Sequence, residues 1–186
     1  MRVILLCGYR TGEDVALGLE RNSSGVTLID RRIIELTSRG FEVICVLSRN
    51  SADEILRESR QLPEVEIVYD THGDDANLAT NLKSGLAATD GEGCFAIPLE
   101  IPVPPPELWA FIREAWRRQG FHTDTSVFQI AQGAPRHYGF PLLISRKGNA
   151  LIRSLKGFEN LVDARLKYQH LAFSKEATLA PTEKPL

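Results

Sequence analysis

The chain has only three cysteines, Cys7, Cys45 and Cys94, and no CxxC pair among them. Each lies in or beside an apolar run, so they read as small buried thiols rather than as metal ligands or disulfide partners. Long apolar stretches are also missing. The N-terminal run extends only from Val3 to Cys7, too short for a signal peptide or a membrane span, and the cytoplasm is the expected location. Neither sign of charge dominates: 22 basic and 24 acidic residues leave a net charge of −2. That balance, with basic residues scattered along the chain, provides no field to recruit nucleic acid or an anionic membrane. No Ser/His/Asp or Cys/His nucleophile set emerges from the spacing, and no internal repeat or low-complexity tract stands out.

What is present is the composition of an ordinary globular protein, 43% hydrophobic and 25% charged over 186 residues, enough for one domain with a full core. Val3–Cys7 reads as a buried strand, followed by a long loop to about Gly25. Thr27 then offers an N-cap, with Asp30 in the place of a capping-box acid, and Ile29, Ile33 and Leu36 make the stripe of a helix that stops at Gly40. Phe41–Leu47 reads as a second strand, Ser51 as the cap of a short helix, and Val65–Tyr69 as a third strand. An acidic loop, Asp70–Asp75, reads as solvated and leads into a helix with Leu78, Leu82 and Leu86. Gly93–Leu99 is the fourth strand, interrupted by a proline-rich segment from Pro98 to Pro106.

A strongly apolar helix face follows, with Leu108, Trp109, Phe111, Ile112, Ala115 and Trp116. Ser126–Ala131 and Phe140–Ser145 read as strands and Lys147–Leu155 as a helix. The alternation predicts an α/β protein, a mostly parallel sheet covered on both faces. Residues 1–174 are expected to form a single domain and residues 175–186 a polar, frayed tail.

The loop after the first strand carries the functional signal. In Cys7-Gly8-Tyr9-Arg10-Thr11-Gly12-Glu13-Asp14-Val15-Ala16-Leu17, the glycines either turn backbone N–H groups toward an anion or simply permit turns. Arg10 could fork onto a phosphate or sit on the surface. The loop is neither a P-loop nor a dinucleotide fingerprint. Further on, Gly25–Asp30 runs through a helix to Gly40-Phe41-Glu42-Val43, and Asn81-Leu82-Lys83-Ser84-Gly85-Leu86 starts another helix. Cys94-Phe95-Ala96-Ile97-Pro98-Leu99-Glu100-Ile101-Pro102 is followed by Pro106-Glu107-Leu108, and Tyr138-Gly139-Phe140-Pro141-Leu142 closes the series.

In order and spacing these blocks, from about Val3 to Leu155, resemble the MobA-like nucleotidyltransferases, the family of molybdopterin guanylyltransferase and cytidylyltransferase. Sugar-phosphate nucleotidyltransferases are more distant relatives. That resemblance implies a three-layer α/β/α sandwich of the nucleotide-diphospho-sugar transferase type. It implies transfer of NMP from an NTP, GTP or CTP, to a phosphate-bearing acceptor such as molybdopterin or a sugar phosphate, with Mg²⁺ as cofactor.

Carried over position by position, the resemblance gives Arg10 a phosphate-binding role and places Gly8 and Gly12 in the nucleotide loop. It makes Glu100 the metal-holding carboxylate, where the family has aspartate. Asn81 and Gly85 would face the nucleotide. Asn81 could equally well sit in a helix's first turn, and Gly85 could serve close helix packing. Val15 stands where the family's loop lysine stands, so a second reading is a catalytically silent homologue that binds nucleotide or a partner protein. A homo-oligomer is compatible with either reading.

Overall fold

The computed structural model describes residues 1–8, 13–72, 75–91, 93–119, 124–132, 137–154 and 166–172. The first strand, β1 (Arg2–Leu6), is an unbroken apolar run because it is covered on both sides. Val3, Leu5 and Cys7 face one half of the core and Ile4 and Leu6 the other, the period-2 division of a pleated strand. The same holds for β2 (Glu42–Ser48) and β4 (Cys94–Pro98), while β3 (Glu66–Asp70) is more exposed. The remaining strands are β5 (Val127–Gln132), β6 (His137–Ile144) and β7 (Tyr168–Ala172). The helices are α1 (Asp14–Gly18), α2 (Leu28–Thr37), α3 (Ala52–Glu58), α4 (Leu78–Ala87), α5 (Pro106–Gln119) and α6 (Arg146–Ser154).

The strands form one sheet in the order β3-β2-β1-β4-β6-β5-β7. β1, β2, β3 and β4 are mutually parallel, β6 runs antiparallel to both β4 and β5, and β7 is parallel to β5. Side chains of α1, α2, α3 and α5 pack into one half of the core and those of α4 and α6 into the other. The expected α/β sandwich with a mostly parallel sheet is therefore observed. From β1 the chain moves outward to β2 and β3, then returns to place β4 on the other side of β1. The crossover direction thus reverses between β1 and β4, and the carboxyl ends of these two strands flank a topological switch point, where open α/β sheets bind ligands.

Local signals differ from expectation in instructive ways. The Thr27 hydroxyl accepts from Asp30 N–H at 3.2 Å, as an N-cap should. Asp30 does not complete the capping box; its buried carboxylate instead accepts from Ser59 Oγ at 2.5 Å and from the N–H groups of Arg60 (3.1 Å) and Gln61 (3.0 Å), tying α2 to the end of α3. Ser51 makes no side-chain cap; its hydroxyl donates to the Ser48 carbonyl. The full capping box belongs to α4, where Asn77 accepts from Ala79 and Thr80 N–H while the Thr80 hydroxyl accepts from Asn77 N–H. The short helix α1 lies within what the sequence suggested was loop, and β7 adds an edge strand that the pattern did not disclose. Residues 175–186, the expected tail, lie outside the described residues.

Burial works to raise the pKa of Asp30, but the hydrogen bonds from Ser59, Gln61, Thr27 and Arg60 outweigh it, leaving the carboxyl below its ordinary 3.8. A depressed native pKa means that the carboxylate's contribution is complete above the unfolded value and fades as pH falls through the native one. Asp30→Asn should therefore cost about 2 kcal/mol at neutral pH, from charge-assisted hydrogen bonds. Urea unfolding at a series of pH values should show the gap between variant and parent closing below about pH 4.

Candidate functional site at the carboxyl end of the sheet

The switch point is built from β1 and β4. Cys7 N–H donates to the Val46 carbonyl at 2.9 Å, extending the β1–β2 pairing by one residue, and Leu99 N–H donates to the Leu6 carbonyl at 3.0 Å. Gly8 then passes so close to β2 that a Cβ there would lie 2.0 Å from Ser48 N and 2.5 Å from Leu47 C. Only a residue without a side chain fits, so the loop leaves the sheet flush with the neighbouring backbone. This gives Gly8 a structural reason for being glycine, beside the nucleotide-loop role expected from the sequence. Arg10 and Gly12, the other two loop residues singled out, lie outside the described residues.

Glu100 sits two residues beyond β4, in a turn closed by Ile101 N–H donating to the Pro98 carbonyl at 3.2 Å. It is partly buried, and its Oε2 is shielded from solvent. Asp14, at the first position of α1, is buried as well. The Cys7 thiol reports on both. Burial pushes its pKa well up, its contact with Cys45 (Sγ–Sγ 3.5 Å) adds to that, and the charges of Asp14 and Glu100 add further. Both carboxylates are thus near enough to the end of β1 to act on the same thiol. The sequence pointed to Glu100 through the resemblance but not to Asp14, which read only as one residue of the long loop after the first strand.

Among the described residues no three His, Cys, Asp or Glu side chains are grouped as a complete metal cage. A hard oxygen donor such as the Glu100 carboxylate nevertheless suits Mg²⁺ or Mn²⁺, which are held by one or two carboxylates with phosphate and water oxygens completing the shell. The donor set therefore fits a phosphate-bridging cation. Val15, at the place of the family's lysine, packs its side chain against the apolar core and brings no cation to the mouth.

The other expected nucleotide contacts sit deeper. Asn81 is fully buried in the second turn of α4, with Nδ2 3.5 Å from Asp70 Oδ2 and no hydrogen-bond partner for Oδ1 among the described residues. Gly85 lies against the sheet, where a Cβ would be 2.5 Å from Ile4 Cγ2 and 2.9 Å from Val46 Cγ2. Helix-to-sheet packing accounts for this glycine. The acidic loop is not uniformly solvated, contrary to expectation. Asp70 is fully buried at the end of β3, accepting from His72 N–H (3.0 Å), Thr80 Oγ (3.0 Å) and Asn81, with His72 Nδ1 at 2.6 Å.

No helix among the described residues is long and apolar enough to cross a membrane. No family model matches the chain, and no curated protein matches it by sequence. Solved structures do match by fold. Molybdopterin-guanine dinucleotide biosynthesis protein A from Archaeoglobus fulgidus is similar with a TM-score of 0.67 at 15% identity, over 92% of this chain and 83% of that one. A nucleotidyl transferase from Methanothermobacter gives a TM-score of 0.58 at 22% identity, over 94% and 87%. Rv0371c of Mycobacterium tuberculosis, in complex with manganese, gives 0.62 at 18% identity, over 92% and 86%. The chain has the Rossmann-like α/β fold that these proteins share.

Proposed function

We propose that the chain is a nucleotidyltransferase that moves NMP from an NTP, GTP or CTP, to a phosphate-bearing acceptor such as molybdopterin or a sugar phosphate. The observation that supports this reading is the position of Glu100 just past the end of β4, at the switch point, in a fold shared with a protein described as a nucleotidyl transferase. In the reaction an acceptor phosphate oxygen bonds to the α-phosphorus while the bond to pyrophosphate breaks. Alignment and charge compensation supply most of the catalysis in such a transfer. Glu100 would hold Mg²⁺ or Mn²⁺, which when bound neutralises phosphate charge. Arg10 would contact the phosphates and Gly8 and Gly12 would shape the loop around them.

The test is pyrophosphate release from GTP and CTP, with Mg²⁺ or Mn²⁺, across a panel of phosphate-bearing acceptors. Release by the parent protein is expected to fall about 10²–10³-fold in Glu100→Gln, the scale of losing one transition-state charge contact. Nucleotide binding without release would identify instead the silent homologue that the apolar Val15 suggests. Absence of nucleotide binding would sink both readings.

A further inference from the structure

Glu100 is the second residue of a segment, Leu99 to Pro105, that crosses from β4 to α5. Leu99, Ile101 and Val103 turn into the core, Glu100 is partly buried and Pro102 is exposed. Prolines at 102, 104 and 105 remove backbone donors and fix φ, so the strap can form few hydrogen bonds of its own and behaves as a stiff rod. Its position is set from outside.

Two arginines supply the anchors. Arg32, on α2, is nearly buried, with a side chain 12% exposed; its Nε donates to the Leu99 carbonyl at 3.1 Å, and its guanidinium is steadied by Glu35 at 3.0 Å. Arg39, in the turn after α2, donates to the Pro104 carbonyl, which also accepts from Trp109 Nε1 at 2.9 Å. One helix and its exit turn therefore grip both ends of the strap. The near end is the peptide carbonyl immediately preceding Glu100.

We propose that Arg32, with Arg39 holding the far end, is the positioning residue for the Glu100 carboxylate at the switch point. This rests on the reading above that Glu100 holds a divalent cation. Small displacements matter there, because Mg²⁺ tolerates little departure from octahedral geometry and removing an outer partner typically weakens metal affinity 10–100-fold. Charge alone predicts the opposite sign, since deleting a nearby cation favours binding of another. A loss of affinity on deleting Arg32 therefore reports geometry.

The experiment titrates the full chain with Mn²⁺ alone, followed by disappearance of the free-ion paramagnetic resonance signal, with thermal unfolding run in parallel. Arg32→Ala is expected to raise half-saturating Mn²⁺ about tenfold, Arg32→Lys, which keeps a donor, to raise it less, and Arg39→Ala to have the smaller effect of a distant anchor. In a Glu100→Gln background the Arg32 substitution should add nothing. If Arg32→Ala does not fold, the lysine variant carries the same comparison. The proposal is overturned, with the metal reading intact, if Glu100→Gln weakens Mn²⁺ binding and the Arg32 variants do not. It is overturned too if they weaken binding equally in both backgrounds. If Glu100→Gln leaves Mn²⁺ binding unchanged, the metal reading fails and the clamp has no role to play.

Discussion

Gly8→Ala is expected to destabilise the protein by about 3 kcal/mol or more and to abolish whatever binding the loop after β1 performs. The added methyl would sit 2.0 Å from Ser48 N, 2.5 Å from Leu47 C and 2.9 Å from Ser48 Cα. All three are backbone atoms of the neighbouring strand, so no side-chain rotation can relieve the overlap. Relief requires moving β1 away from β2, which breaks the parallel pairing from Leu6–Val46 through the Cys7 N–H bond to the Val46 carbonyl. Because the Leu6 carbonyl also aligns β4 by accepting from Leu99 N–H, the displacement would spread to Glu100. Urea denaturation should show a lower midpoint with an unchanged slope. A variant as stable as the parent would mean that the loop leaves the sheet by another path.

Most of the scaffold was legible in the sequence because its signals are local. β1 and β2 are continuous apolar runs since both faces of each are buried, and α2 carries its stripe at helical spacing with Thr27 at its start. Where the sequence misled, the partner was distant. Asp30 has the spacing of a capping-box acid, yet its carboxylate finds Ser59 and the N–H groups of Arg60 and Gln61, some thirty positions along the chain. Asp14 was one residue of a long loop after the first strand, and only the folded chain buries it at the start of α1 within electrostatic reach of Cys7. Gly85 remained ambiguous until Ile4 and Val46 were seen against it. The arginine anchors of the proline strap had no sequence signature, because a side chain reaching a backbone carbonyl sixty-odd residues away leaves no spacing to read.

Asp70 is the largest of these reversals, and it predicts a large effect. A run of acids after a strand suggests a solvated loop, where Asp70→Ala would change stability by a few tenths of a kcal/mol. The observed carboxylate is fully buried and receives hydrogen bonds from the backbone of the following turn and from two α4 side chains, with the His72 ring also against it. Removing it would strip these donors of a shared acceptor and leave a void, and the expected loss is about 4 kcal/mol, the scale of breaking a buried charged network. Thr80→Val keeps the shape but deletes both the donor to Asp70 and the acceptor of the Asn77 N–H, so it should cost about 2 kcal/mol. The effects should be non-additive, because once the carboxylate is gone the Thr80 hydroxyl no longer bonds to it. Denaturation of the two single variants and the double variant measures that coupling directly. A sum of the single effects would mean that Asp70 and Thr80 act independently, and the end of β3 would not then be what holds the first turns of α4 beside the site.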